Sequence, residues 1–245
     1  MSKALSDSIA LVTGASRGVG ARVAVLLGEA GARVVVNYRS KQRRAEEVAT
    51  DVRAAGGEAI IACADITDAA QTLAMMELTR EHFGHLDLLV LNASGGLEKD
   101  VPVSYAMLLN RDAQLALLDE ALPLMPAGSR VVFVTSHMAH FHGKQPSLDV
   151  YEPVAISKRA GEDALLARIP KLAPLGVSLV VVSGDLIDGT TTPRLMQRKV
   201  PGIIEARRET AGWLPTIDDF ARAIVEAAVN PNLESGATIY VGNTE

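Results

Sequence analysis

The chain has 245 residues, of which 48% are apolar and 22% are charged, so its length and composition predict one large globular domain or two small ones. Its 24 Lys and Arg against 29 Asp and Glu give a net charge of -5. That balance lacks the basic excess that phosphate-backbone binding requires, and it argues against nucleic acid as a partner.

The sequence also argues against a membrane partner. No apolar run reaches the roughly 18 residues that span a bilayer, and the start, MSKALSDS, has neither the basic end nor the apolar core of a signal peptide. We therefore expect a cytoplasmic protein. The single cysteine, Cys63, lies in the apolar stretch AIIACA, which predicts a buried, inert thiol.

Apolar, β-branched runs alternate with helix-like stretches along the whole chain. The strand-like runs lie at 9–13, 33–37, 59–63, 88–92, 130–135, 177–183 and 238–241. Helical spacing occurs between them, at 18–30, 41–55, 69–83, 105–123, 153–169 and 217–229. Continuous apolar runs are typical of strands covered by helices on both faces. The sequence therefore predicts a doubly wound α/β (Rossmann) fold, with a parallel seven-stranded sheet in a single domain over 1–245.

The longest stretch without clear periodicity is 184–216, which is rich in Gly, Thr and Pro. It is longer than ordinary connections between secondary-structure elements. We expect it to form a substrate-binding loop or lid.

A glycine-rich segment follows the first predicted strand and opens a helix. Its residues are Thr13, Gly14, Ala15, Ser16, Arg17, Gly18, Val19 and Gly20. Glycines in a first βα turn let the backbone approach a pyrophosphate, whose charge the helix N-terminus stabilises. A tight turn without a ligand is the alternative, but the strand–turn–helix context favours dinucleotide binding.

The end of the second strand indicates which dinucleotide is bound. Dinucleotide folds often place an acid there to accept hydrogen bonds from the ribose 2'-hydroxyl, but this chain has Asn37 followed by Tyr38 and Arg39. Arg39 and Arg17 could instead pair with a 2'-phosphate, because guanidinium offers bidentate donors to phosphate oxygens. The sequence therefore favours NADP(H) over NAD(H), although both arginines could also be solvated surface charges.

Taken in order, these motifs resemble those of the short-chain dehydrogenase/reductase family, over nearly the whole chain. The glycine segment is similar to the family's cofactor loop. Ala64-Asp65-Ile66-Thr67 resembles the segment that contacts adenine, and Asn92-Ala93-Ser94-Gly95 resembles the Asn-Ala-Gly segment after strand four. The resemblance implies hydride transfer with a nicotinamide cofactor, contacts from Asp65, Ile66, Asn92 and Ala93, and a homodimer or homotetramer.

The same resemblance implies the catalytic residues. The family uses a serine, a tyrosine and a lysine, to which Ser136 at the end of strand five and Lys158 correspond here. Asn110 resembles the family's fourth active-site residue, and it shares a helical stripe with Met107 and Leu117, so its amide needs a partner on the packed side. The alternative interpretation, that Asn110 has only a structural role, is left open.

The tyrosine departs from the family's commonest pattern. Three residues usually separate the tyrosine from the lysine, but Val154 occupies that position, and the nearest tyrosine is Tyr151. The Tyr-(six residues)-Lys spacing resembles the enoyl-carrier-protein reductase branch. Pro153 is best tolerated in the first helical turn, so we expect the helix to begin there. Tyr151 would then precede it as the proton donor, with its pKa depressed by Lys158, or would merely anchor the helix entrance.

Two further segments carry weaker signals. Val182 to Leu186 looks like the family's Pro-Gly segment with Ser183 in place of proline, which implies that Gly184 and Leu186 lie near the nicotinamide and that Thr190 to Thr192 approach the pyrophosphate. The inserted segment contains His137, His140 and His142. Their spacing on a loop does not predict a metal site, and a substrate contact by one of them is left open.

We therefore hypothesise an NADP(H)-dependent reductase that acts on a carbonyl or an activated C=C bond of a small apolar substrate. The alternative is a catalytically impaired regulatory protein that binds a dinucleotide, with Val154 as the mark of the lost tyrosine. The retained Ser136, Lys158 and Asn110 favour the enzyme, because a sensor needs no polar groups on the substrate side.

Overall fold

The computed structural model describes residues 5–98, 101–145 and 147–244. Its strands are β1 (Ile9–Val12), β2 (Arg33–Tyr38), β3 (Glu58–Cys63), β4 (Leu88–Leu91), β5 (Arg130–Ser136), β6 (Ser178–Gly184) and β7 (Thr238–Val241). All are paired in one parallel sheet, in the order β3-β2-β1-β4-β5-β6-β7. The predicted single-domain Rossmann fold is confirmed.

Eleven helices connect and flank these strands in the described residues. They are α1 (Gly18–Glu29), α2 (Gln42–Ala54), α3 (Ala69–Phe83), α4 (Val103–Met107), α5 (Ala113–Ala121), α6 (His137–His140), α7 (Glu152–Leu166), α8 (Ile169–Leu172), α9 (Thr191–Lys199), α10 (Ile203–Ala211) and α11 (Ile217–Val229). Within the described ranges, no helix is both long and apolar enough to cross a membrane.

Burial on both faces explains why the strands are continuous apolar runs. Successive strand side chains point to opposite faces of a sheet. In β1, Ala10 and Val12 join the core cluster that contains α1, α2 and α11 residues. Ile9 and Leu11 join the cluster that contains α3 and α5 residues. Since helices cover both faces, neither set of positions has to be polar.

The segment 184–216 differs from the predicted loop, because α9 and α10 occupy much of it. Each of these helices has 9 residues, about two and a half turns. So short a helix carries little periodic signal, and the Pro201-Gly202 pair between them marks only a break.

The predicted helix at 105–123 is also interrupted. A π-helical turn, Leu108–Asp112, separates α4 from α5. Such turns are rare, and they occur frequently at functional sites. The turn changes which side chains face α7, and Asn110 lies in the middle of it.

Cys63 is exposed, so the prediction of a buried thiol is wrong. The residue ends β3, the edge strand of the sheet. An edge strand lacks a neighbour on one side, and the apolar run AIIAC could not reveal that position in the strand order.

Candidate active site

A cleft of about 470 Å³ lies at the carboxyl ends of the central strands. The strand order reverses between β1 and β4, and in open α/β sheets ligands bind at this switch point. The predicted site residues that line the cleft are Gly14, Ser16, Arg17, Gly18, Val19, Gly20, Asn37, Arg39, Asp65, Ile66, Asn92, Ala93, Ser136, Tyr151, Lys158 and Leu186. Asn110 and Gly184 are not among the lining residues.

The glycine segment forms the wall of the cleft below the start of α1. Gly14 and Gly18 have φ angles of 63° and 59°, a left-handed conformation that favours glycine. A Cβ at Gly20 would lie 2.5 Å from Asn92 Nδ2, whereas a Cβ at Gly18 would meet nothing within 4 Å. The backbone is therefore packed tightly on the protein side and open on the cleft side, a shape that fits a pyrophosphate at the helix N-terminus.

Asn37 holds this glycine segment in place. Its Oδ1 accepts a hydrogen bond from Gly14 N at 3.0 Å, and its Nδ2 donates to the carbonyls of Ala62 and Ala64. An aspartate could accept the first bond but could not donate the other two. This donor requirement gives a structural reason for an amide at position 37.

The part of the cleft around the end of β2 is basic. Arg17, Arg39, Lys41 and Arg44 all line it. Arg39 Nη1 donates to Tyr105 Oη at 2.6 Å and lies 3.8 Å from an oxygen of Asp65, and its side chain is 55% exposed. Lys41 and Arg44 were not predicted, although the basic run KQRR at 41–44, shortly after β2, contains both of them.

The segment after β4 is fixed to β1 through Thr13. The Thr13 hydroxyl accepts hydrogen bonds from the backbone N–H groups of Asn92 and Ala93, each at 2.9 Å, and Asn92 Nδ2 donates to the Thr13 carbonyl. Asp65 uses its carboxylate to accept from the backbone and hydroxyl of Thr67. These local bonds give the cleft two rigid walls.

Ser136 and Tyr151 meet at the opposite end of the cleft. Their hydroxyl oxygens lie 3.1 Å apart. Ser136 ends β5 and also caps α6, where its Oγ accepts from Ala139 N. Tyr151 is the N-cap of α7, which begins at Glu152 with Pro153 in its first turn. The helix start therefore agrees with the prediction to within one residue, and the chain folds back to bring Tyr151 into the cleft.

Burial governs the ionisation of Tyr151. The residue is 4% exposed, and burial raises the pKa of its phenol, while the hydrogen bond with Ser136 acts in the opposite direction. The predicted depression of this pKa by Lys158 is wrong for the protein as described. A buried neutral phenol keeps its proton at neutral pH.

Lys158 lines the same cleft and is 7% exposed. Burial lowers the pKa of its ammonium group to about 8, and the charge of Glu162 opposes that shift. The lysine thus sits close to the midpoint of its titration at mildly alkaline pH, where small changes in nearby charge alter its protonation.

Asn110 lies behind the cleft and connects its parts. Its Nδ2 donates to the Gly95 carbonyl and to Ser157 Oγ, each at 2.9 Å, and its Oδ1 accepts from Gly95 N. Its backbone carbonyl presses against α7, where a Cβ on Gly161 would come within 2.1 Å of that oxygen. Asn110 therefore joins the segment after β4 to the helix that carries Lys158.

Gly184 is also a packing residue. A Cβ there would lie 2.7 Å from the ring of Phe220, so the position needs a glycine to let α11 approach β6. The neighbouring Leu186 is 5% exposed and does line the cleft, as do Thr190, Thr191 and Thr192.

The three histidines of the inserted segment do not line the cleft, so the open possibility of a substrate contact gains no support from the structure. His137 Nδ1 lies 2.8 Å from Ser183 Oγ. His140 Nδ1 contacts Glu162, and its Nε2 contacts Tyr240. Among the described residues of this segment, Met138 lines the cleft.

Apolar side chains surround the Tyr151 end of the cleft. One hydrophobic cluster joins the region around Tyr151 to the helices α9 and α10, and its buried members are Leu97, Tyr151, Val154, Ala155, Leu186, Met196, Ile203, Ala211 and Leu214. Val154, which takes the place of the usual tyrosine, is 3% exposed and would contact a Cβ on Gly96. Its role in the structure is packing.

The chain is similar to a family model and to several known proteins. The short chain dehydrogenase family model matches residues 8–197. Versicolorin reductase 1 of Aspergillus parasiticus is 41% identical over 145 residues, which are 57% of this chain and 55% of the relative. The chain thus spans about half the length of the curated relatives that it matches.

Two solved structures are similar over nearly their full length. The angucycline C-6 ketoreductase with bound NADP has a TM-score of 0.82 at 27% identity, covering 100% of this chain and 98% of that chain. A short chain dehydrogenase from Burkholderia cenocepacia in complex with NADP has a TM-score of 0.84 at 27% identity, covering 97% of each chain.

Proposed function

The chain belongs to the short-chain dehydrogenase family, and we propose that it is an NADP(H)-dependent reductase of a carbonyl group in a small, largely apolar molecule. The observation that carries this proposal is the 3.1 Å contact between the Ser136 and Tyr151 hydroxyls, at the end of the cleft that Lys158 also lines. The Tyr151 phenol can donate a proton and the Ser136 hydroxyl can donate a hydrogen bond at the same point of the cleft, although six residues instead of three separate Tyr151 from Lys158.

Each of the three side chains has a role that follows from its environment. The Tyr151 phenol is neutral and can donate a proton to the oxygen on which charge develops. Ser136 can donate a hydrogen bond to the same oxygen, and such donors stabilise a developing oxyanion. Lys158 lines the same cleft, where its ammonium group would hold the nicotinamide ribose.

The cofactor assignment rests on the two ends of the cleft. The glycine backbone around Gly14 and Gly18 would hold the pyrophosphate, and Arg17, Arg39 and Arg44 would hold a 2'-phosphate. When bound, the nicotinamide supplies the hydride. The names of the two structural relatives that contain NADP support the same choice.

The substrate class follows from the apolar cluster beside Tyr151. Met138, Leu186 and Pro193 line the cleft on that side. Residues of α9 and α10 belong to the same buried cluster as Tyr151 and Leu186. A molecule with a flat apolar body and one polar carbonyl matches this lining. The relatives named as a versicolorin reductase and an angucycline ketoreductase support a polycyclic ketone.

Because of the Tyr-(six residues)-Lys spacing, alkene reduction is a second candidate function, and the following experiment also tests it. NADPH oxidation should be followed with a panel of polycyclic aromatic ketones, quinones, simple ketones and enoyl thioesters. We expect saturable oxidation with polycyclic ketones. Turnover restricted to enoyl thioesters would contradict the carbonyl assignment, and tight NADPH binding without any turnover would favour a regulatory dinucleotide-binding protein.

A further inference from the structure

Glu162 is a fully buried carboxylate on α7. Its side chain is 0% exposed, and the sequence analysis gave it no role. A buried carboxylate is costly unless it is paired and hydrogen-bonded. Its position therefore calls for a physical account.

One oxygen of Glu162 is well supplied with donors. Oε1 accepts from Arg159 Nη1 at 3.0 Å and lies 2.6 Å from His140 Nδ1. His140 Nε2 lies 2.8 Å from Tyr240 Oη. Tyr240 can donate to a neutral His140, whose Nδ1–H then donates to Glu162 Oε1.

The other oxygen is left without a bond. Glu162 Oε2 is buried and has no hydrogen-bond partner in the described part of the chain. Carboxylate oxygens accept up to two hydrogen bonds each. The carboxylate therefore keeps acceptor capacity, and negative charge, for a neighbouring cation.

Lys158 is a second cation on the same helix, although it forms no hydrogen bond or ion pair with Glu162 in the described part of the chain. It precedes Glu162 by four residues on α7, so the two side chains lie on one face of the helix, one turn apart. Both are buried. Arg159, in contrast, shares its charge between Glu162 and the exposed Asp163.

We propose that Glu162 is a positioning residue that supplies the counter-charge for Lys158 and keeps the lysine protonated at the pH at which the enzyme works. The inference rests on the proposed function, because the charge of Lys158 matters there. It assigns to the hydrogen-bonded chain Glu162–His140–Tyr240, which runs from a buried carboxylate to a partly exposed phenol, the task of holding that counter-charge in place.

The electrostatics of Lys158 agree with this role. Burial lowers the pKa of Lys158, and the one charged group that acts against burial, among the described residues, is Glu162. The elements packed against α7 carry other ionisable groups: Tyr105 on α4, Arg111 and Asp112 in the π-helical turn, Asp119 and Glu120 on α5, Arg130 on β5, and His137 and His140 on α6. Tyr151 and Asp185 also line the cleft.

The first test needs no substrate. The reactivity of Lys158 toward acetic anhydride, followed by mass spectrometry across a pH series, reports the midpoint of its deprotonation. Glu162→Gln should lower this midpoint by about one pH unit, because an opposite charge has been removed. Asp163→Asn is the matched control, since it removes a charge that also pairs with Arg159 but is 65% exposed. In Asp163→Asn, the midpoint of Lys158 deprotonation should stay at the wild-type value.

The second test uses turnover. With a carbonyl substrate, Glu162→Gln should move the alkaline limb of the kcat profile to lower pH by the same amount, while Asp163→Asn leaves it in place. An unchanged labelling midpoint in a folded Glu162→Gln protein would overturn the inference. A shifted midpoint without carbonyl reduction in any variant would instead overturn the proposed function alone.

A third variant covers the case in which Glu162→Gln does not fold. The counter-charge account predicts that Lys158→Met restores folding in the double variant, because the uncompensated ammonium is then gone. A double variant that stays unfolded while Lys158→Met alone folds would show that Glu162 serves only Arg159 and His140, and would contradict the inference.

Discussion

The hydroxyl oxygens of Ser136 and Tyr151 lie 3.1 Å apart although the residues are 15 positions apart in the chain. The segment between them contains α6 and the inserted histidines, and it returns to the cleft at the N-cap of α7. Tyr151 therefore reaches the cleft from the N-cap of α7. The family's usual tyrosine would lie within this helix, at the position that Val154 occupies here.

Replacing the phenol tests its role as proton donor. Tyr151→Phe should lower turnover about 100-fold or more, since general acid catalysis typically contributes that much, while NADPH affinity stays close to wild type. Tyr38→Phe is a suitable control, because Tyr38 is also buried but does not line the cleft. Near-normal turnover of Tyr151→Phe would assign the proton to another donor.

The serine should matter to a similar degree. Ser136→Ala removes the partner of Tyr151 and a donor for the substrate oxygen, and we expect kcat to fall about 100-fold. Ser183→Ala serves as the comparison, because Ser183 pairs in register with Thr135 on the adjacent strand and its hydroxyl bonds to His137. Equal losses in both variants would indicate a structural effect only.

The fold could be predicted from the sequence because its signals are local. Continuous β-branched runs and helical spacing between them define a parallel sheet, and every predicted strand is present. The helices α9 and α10 could not be predicted, since each is too short to show a clear period. Cys63 is exposed because β3 is an edge strand, and the local sequence does not reveal the position of a strand in the sheet.

Motifs predicted residues that the structure brings to one cleft. The glycine segment, Ser136 and Lys158 all line it. The pKa of Tyr151 was predicted in the wrong direction, because spacing alone could not show how completely the phenol is buried. The pairing of Glu162 with His140 joins residues 22 positions apart, a contact that only the tertiary structure reveals.

Cofactor preference should depend on the basic end of the cleft. Arg39→Ala and Arg44→Ala should each weaken NADPH binding by about 10-fold or more, since a charge-assisted phosphate contact contributes roughly 1.5–3 kcal/mol, and should leave NADH binding nearly unchanged. Arg80→Ala, which removes an exposed arginine paired with Glu77, controls for net charge. Fluorescence titration gives the affinity of each variant for both cofactors. Equal affinities of the wild type for NADPH and NADH would refute the predicted preference.

Gly161 should be intolerant of a side chain. Helix propensity alone predicts that Gly161→Ala stabilises α7 by about 1 kcal/mol. The contact with the Asn110 carbonyl, at 2.1 Å from a Cβ, predicts the opposite sign, a loss of about 1–3 kcal/mol. Chemical denaturation gives the sign directly, and a stabilised Gly161→Ala protein would show that α7 and the π-helical turn are not held as described.

Stability should fall in acid because of His137. Burial lowers the pKa of this histidine to about 4 from 6.5, so the unfolded chain binds its proton first. The contribution of His137 to the free energy of unfolding is complete above pH 6.5 and is lost as the pH falls towards 4, by about 3 kcal/mol. His137→Gln should show a shallower loss of unfolding free energy between pH 7 and pH 4.5, whereas His82→Gln, at an exposed histidine, should follow the wild type. Parallel curves for all three proteins would contradict this assignment.

The most direct test of the carbonyl-reductase assignment follows the hydride itself. The protein should be incubated with NADPH deuterated at the transferred position and a polycyclic ketone, and the product analysed by mass spectrometry and NMR. We predict one deuterium on the new carbinol carbon, at a rate that Tyr151→Phe reduces. Deuterium on a carbon of a former C=C bond, or no deuterated product despite tight NADPH binding, would contradict carbonyl reduction at the Ser136–Tyr151 centre.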